Sequence, residues 1–153
     1  MDKNQLMQKS DILLLIREQL QNNIRELNSS LEIQHSASNI DEGDTKDPED
    51  FSQQSESRDL EMGLQIQLDN ALLQLEKLDE FSSRKTSGSE NGAIVETDKN
   101  LFYLGISLSP LHIDGKELYG VSPNSPAYNA IKGMSQGDQF TIGNNDHNII
   151  NIF

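Results

Sequence analysis

Asp41-Glu42-Gly43-Asp44-Thr45-Lys46-Asp47-Pro48-Glu49-Asp50 places six carboxylates and one lysine in ten residues, with glycine and proline as the only structural punctuation. A long segment of helical periodicity lies on either side. Two helices joined by so short a turn run antiparallel, so the acidic stretch becomes the tip of a helical hairpin. Taken by itself, such a run is a solvated polar loop. At the end of a hairpin it also presents negative charge to a partner.

The periodicity of the flanks carries this reading. From Lys3 to about Ile33 the residues are strong helix formers without glycine or proline. Leu13, Ile16, Leu20, Ile24, Leu27 and Leu31 step by three or four and form one apolar stripe. Helical character is expected to fade through Gln34 to Asn39, where short polar side chains compete for backbone hydrogen bonds. After the turn, Asp47 suits an N-cap and Pro48 the first helical position, while Glu49 and Asp50 complement the positive end of the helix dipole. The second helix is expected to run to about Ser82, with a heptad stripe of Leu64, Leu68, Ala71, Leu75 and Leu78. Each arm of roughly 30 residues spans about 45 Å at 1.5 Å per residue.

Arg84 to Gly92 has the composition of a linker. Beyond it the period changes to that of strands: Ala93–Val95, Leu101–Ile106, Glu117–Val121, Gln139–Ile142 and Asn148–Phe153, with Gly143 to Asp146 as a hairpin turn. Pro126 to Lys132 is the one candidate helix here, capped by Ser125 and stopped by Gly133. The expected fold class is therefore α+β. Its parts are an antiparallel coiled-coil hairpin over residues 1–84 with its tip at 41–50, a linker at 85–92, and a small β-rich domain with one short helix over 93–153.

Composition narrows the function. Apolar residues make up only 34% of the chain and tryptophan is absent, which suits a hairpin plus a small domain better than one large core. Net charge is −13, from 12 basic and 25 acidic residues, which argues against independent DNA binding. The lack of cysteine removes disulfides, thiolate metal sites and cysteine nucleophiles. His35, His112 and His147 have no metal-ligand spacing and are expected on the surface or in loops. With no signal-like segment and no long apolar run, a cytoplasmic protein without membrane contact is expected.

Two stretches carry a resemblance. Val121-Ser122-Pro123-Asn124-Ser125-Pro126-Ala127, then Ala130-Ile131-Lys132-Gly133, then Gln136-Gly137-Asp138, resembles the C-terminal domain of the bacterial Gre transcription elongation factors. There a strand leads to a Ser-Pro capped helix, a stopping glycine, a Gly-Asp turn and a closing hairpin. Independently, Gly43 to Phe51 aligns without a gap on the Gre hairpin tip, Gly-Asp-Leu-x-Glu-Asn-x-Glu-Tyr. Asp44 falls on the tip aspartate, Asp47 on the tip glutamate and Phe51 on the tyrosine.

The resemblance implies an FKBP-like C-terminal domain that docks on RNA polymerase, with Ser122, Asn124, Ser125, Pro126 and Gly133 as the polymerase-binding set. It implies a hairpin inserted through the polymerase secondary channel. There Asp44 and Asp47 help to hold a shared Mg²⁺ and promote cleavage of backtracked transcripts by the polymerase, with Phe51 packing the tip. The protein is then an accessory factor rather than an enzyme. It is a monomer without a cofactor of its own, meeting the nascent RNA 3′ end only inside the polymerase. Lys9, Arg17 and Arg25 on the first helix correspond to a basic patch near that RNA end; read from the residues alone, they are a solvent face paired with acids such as Glu18 and Glu26.

The sequence departs from the Gre pattern where the chemistry is most exacting. Asp47 is one methylene shorter than glutamate, Pro48 replaces asparagine, and Asp47 has a competing role as N-cap. The chain between Leu104 and Leu118 is also short. A non-cleaving secondary-channel regulator and a coiled-coil adaptor with an acidic loop are the alternatives. A prolyl isomerase needs an aromatic-lined pocket, and a calcium loop of the EF-hand type needs ligands at alternate positions, whereas the acids at 41, 44, 47 and 50 step by three.

Overall fold

A computed structural model describes residues 8–39 and 48–153 of the chain. Two long helices, α1 (Lys9–Asn39) and α2 (Pro48–Ser82), come first and pack against each other. Then follow β1 (Ile94–Thr97), β2 (Asn100–Leu104), β3 (Leu111–Ile113), β4 (Lys116–Val121), α3 (Pro126–Ile131), β5 (Gln139–Ile142) and β6 (Asn145–Ile152). The class is α+β, with a mixed six-stranded sheet. No helix among the described residues is long and apolar enough to cross a membrane.

The chain divides into two units. Residues 19–73 form one, whose described residues all belong to the two helices. Leu27, Leu68 and Ala71 are buried at its seam, with Ile24, Leu31 and Leu64 packed around them. These are the two predicted stripes meeting each other. A fully buried leucine contributes roughly 1.5–3 kcal/mol. A second apolar set on α2, Met62, Ile66 and Leu73, stands exposed. Ile66 lies two residues from both Leu64 and Leu68, about 200° around the helix from each, so it cannot share their seam.

Helix α1 does not fade at Ile33 as its polar tail suggested; it continues to Asn39. Local propensity is a weak prior that a neighbouring helix overrides. Here His35 Nδ1 lies 3.3 Å from Glu61 Oε1 of α2, so the second helix accompanies the first into the polar stretch.

The other unit joins Gln74–Phe153 to the described residues up to Glu18. Its strands run in the order β3-β4-β2-β1-β6-β5. Only β2 and β4 are parallel, with Leu101 opposite Leu118 and Leu104 opposite Val121. Such a pairing needs a crossover, and the chain from Ile106 to Leu108 passes directly over Gly120. A Cβ there would stand 2.7 Å from the Ile106 carbonyl oxygen, so glycine is what lets the crossover lie close. This is where the structure departs from the predicted strands. The run Leu101–Ile106 ends at Leu104, and Leu111–Ile113 forms an extra edge strand paired with β4.

Alternation along the strands makes two buried faces. Ala93, Val95, Phe102, Leu104, Val121, Phe140 and Ile149 share one core with Ile131 of α3. Ile94, Leu101, Tyr103 and Leu118 are buried on alternate positions, and Ile12, Ile16, Leu78 and Phe81 of the helix ends are buried in the same unit. Two contacts tie α2 to the crossover. The buried Gln74 accepts a 2.8 Å hydrogen bond from the Ser107 amide through Oε1. The Phe81 ring packs so close to Gly105 that a Cβ would meet it at 2.7 Å.

The segment 85–92, linker-like in composition, is bonded to its surroundings. Ser89 Oγ donates to the Met134 carbonyl at 2.7 Å, Thr86 Oγ1 donates to the Phe153 carbonyl at 3.1 Å, and Tyr128 donates to Asn91 Oδ1 at 2.7 Å.

Candidate functional site

The Ser-Pro segment is built around one carbonyl. The oxygen of Ser122, at the exit of β4, accepts from both the amide of Ser125 (3.0 Å) and its hydroxyl (2.8 Å). Ser125, extended at φ −89° and ψ 152°, turns its Oγ to accept from the Tyr128 amide at 3.2 Å. That is an N-cap, with Pro126 in the first turn where its missing N–H costs nothing. Ser122 Oγ accepts from the Asn124 amide at 3.3 Å. Both hydroxyls are thus engaged in holding the turn.

The far end of α3 is fixed as firmly. The Lys132 amide donates to the Tyr128 carbonyl at 2.8 Å, and Gly133 then takes a φ of +80°, which favours glycine. Its amide donates to the Ser89 carbonyl at 3.1 Å. Ile131 is fully buried beneath the helix. In the next turn Asp138 Oδ2 accepts from the Ser135 amide at 2.8 Å, and the Gly137 amide donates to the Ile149 carbonyl at 2.8 Å. The β5–β6 hairpin then closes through the two-residue turn Gly143-Asn144.

This scaffold leaves Pro123, Asn124, Pro126 and Gly133 exposed, with Ser122 and Ser125 half-buried. The Asn124 side-chain amide has no partner among the described residues, so it is available to a docking surface. A rigid, mostly uncharged knob of this kind binds without much ordering cost.

The remaining predicted residues fall elsewhere. Asp44 and Asp47 lie outside the described residues, and Phe51 is placed only as a residue of the first turns of α2. Lys9 Nζ donates to Thr86 Oγ1 at 3.3 Å; burial lowers its pKa below the usual lysine range, opposed by the negative charge of Glu90. Arg17 pairs with Asp79, and Arg25 bonds the side chain of Asn22. The three bases therefore have separate hydrogen-bonding partners.

Comparison of the chain with models of known families, with curated proteins and with solved structures finds no match.

Among the described residues no group of three or more His, Asp or Glu side chains is placed to hold a metal ion. His35 and His112 are exposed, as expected. His147 is not: it is 3% exposed, with Nδ1 3.2 Å from Thr97 Oγ1 and its ring stacked on Phe140 at 5.1 Å. Burial and then the charge of Lys99 lower its pKa, against the raising effect of Asp98 and Asp146. Strand β6 begins at Asn145 rather than Asn148, which puts His147 on the same face as Ile149. Stepping back by two from Ile149 is the signal that would have found it.

Proposed function

We propose that the chain is a Gre-type factor that acts on RNA polymerase in the cytoplasm, docking through an FKBP-like sheet domain and offering its acidic hairpin tip to the secondary channel. The observation that carries this reading is the sequence of devices from β4 to β6. A Ser125-capped helix, a stop at Gly133, a Gly137-Asp138 turn and a closing hairpin follow one another in the order the resemblance requires. The antiparallel pairing of α1 and α2, with Leu27 beside Leu68 and His35 beside Glu61, supports it further.

On this reading Asp44 and Asp47 supply carboxylate oxygens, the donors a hard cation such as Mg²⁺ prefers. The ion, shared with the polymerase's own acids and the RNA, would stabilise attacking and leaving oxygens in hydrolysis of the transcript. This chain's part is to position carboxylates, and Pro123, Asn124 and Pro126 would fix the protein on its partner. An isomerase reading is weaker. Phe102, Tyr103 and Phe140 are packed into the interior instead of lining a pocket.

The test is a stalled, backtracked polymerase with labelled RNA and Mg²⁺, with and without the protein. Shortened transcripts that disappear with Asp44→Ala support cleavage. Slower elongation without shortening, unaffected by that change, favours a channel-occupying regulator. Absence of polymerase binding leaves the coiled-coil adaptor.

A further inference from the structure

A cavity of about 340 Å³ opens where the chain leaves α2, lined by Arg84, Lys85, Thr86, Glu90, Asn91 and Tyr128. That volume falls within the range of small-molecule sites. Its walls are held open by the hydrogen bonds that anchor 86–91. Besides those of Thr86, Ser89 and Asn91, the Ser87 amide donates to Glu90 Oε1 at 2.8 Å and the Glu90 amide to the Gly88 carbonyl at 3.0 Å. The segment is preorganised before any ligand arrives.

The uncommitted groups are mainly donors. Arg84 uses one nitrogen to pair with Glu80 at 2.7 Å and its guanidinium lies 5.6 Å from the centre of the Phe81 ring; its other side-chain N–H groups have no hydrogen-bond partner among the described residues. Lys85 and the side-chain nitrogen of Asn91 have none there either, since Asn91 accepts from Tyr128 through its oxygen. The carboxylate in the wall, Glu90, accepts from the Ser87 amide and hydroxyl through Oε1, and its charge is opposed by that of Lys9; Oε2 has no hydrogen-bond partner among the described residues. Arg84-Lys85 is also the one place in this acidic chain where two basic residues adjoin. A guanidinium, an ammonium and an amide around one cavity suit an oxyanion with several acceptor oxygens.

We infer that this cavity binds the phosphoryl group of a small phosphate ester, gripped by Arg84, Lys85 and Asn91 with the Tyr128 ring beside the ester's organic part. The inference is independent of any action on polymerase.

It is tested on the full chain by following side-chain and backbone NMR signals during titration with inorganic phosphate and with phenyl phosphate, against sodium chloride at equal ionic strength. Saturable shifts at Asn91 and Tyr128 are expected with both, and tighter binding of the phenyl ester. Lys85→Gln is expected to weaken binding about tenfold, as for loss of one charge-assisted contact, without changing Tm. Shifts matched by sodium chloride would reduce the effect to screening and overturn the proposal. So would a Lys85→Gln variant that lowers Tm while phosphate shifts nothing, for the pair would then serve only the carbonyl end of α2. A short single-stranded RNA that produces the shifts when phenyl phosphate does not would replace the small ester by a nucleic-acid backbone.

Discussion

Tyr103 is fully buried, and its hydroxyl has no hydrogen-bond partner among the described residues. Burial pushes its pKa up to about 12, so the ring stays neutral at any ordinary pH. A buried polar atom left unpaired costs about 1–3 kcal/mol. Tyr103→Phe should therefore stabilise the protein by about 1 kcal/mol, read as a higher denaturant midpoint at unchanged slope; a lower midpoint means the hydroxyl is satisfied. His147 gives a pH dependence of definite sign. Its pKa is lowered in the folded state, chiefly by burial, so the unfolded chain takes up the proton first. Stability from this group is complete above an unfolded pKa of about 6.5 and is lost as pH falls from there through the folded value. Urea midpoints compared between pH 8 and pH 5 should fall less in His147→Gln than in the parent. Neither residue announced itself in the sequence. Burial of His147 follows from where β6 starts, a boundary set by pairing with β5, and local pattern leaves such boundaries loose.

The elements divide between those that sequence could read and those that needed partners. The seam of α1 and α2 was legible because steps of three and four place Leu27, Leu68 and Ala71 on facing stripes, and the structure buries those residues. Helix α3 was legible from Ser125, Pro126 and Gly133, each with a local physical role. The extension of α1 to Asn39 was not, since it depends on a helix beside it. Strand β3 was not either: three residues beyond Pro110 make sense as a strand only once β4 pairs with them. Two substitutions on α2 test the choice of stripe. Leu68→Ala should cost about 2–4 kcal/mol, whereas the exposed Ile66→Ala should stay within about 0.5 kcal/mol. Comparable losses in thermal unfolding would mean that the second stripe is also covered. Ser125→Ala should cost about 1 kcal/mol as a lost N-cap, and Ser125→Asn, which keeps the cap, distinctly less.

The Gre-type role proposed above assigns the chain two tasks that one assay would blur, holding a partner and acting on it. The exposed knob of Pro123, Asn124 and Pro126 stands on a framework whose serines are already consumed by capping, so changing Asn124 alters the surface without removing a structural bond. Asn124→Arg should raise the Kd for polymerase at least about tenfold, with cleavage recovered at saturating protein, since a rim contact affects binding more than the bound state's chemistry. Tip changes should do the reverse: Asp44→Ala should leave Kd within about twofold and abolish cleavage at saturation, because it removes a group needed only in the reacting complex. Asp47→Asn decides the other carboxylate. Asparagine caps a helix as well as aspartate but carries no charge for Mg²⁺. Retained cleavage in Asp47→Asn assigns Asp47 to the start of α2; a loss equal to that of Asp44→Ala assigns it to the metal. Loss of binding in Asp44→Ala, with Asn124→Arg unaffected, would place docking at the tip and remove the sheet domain's proposed role.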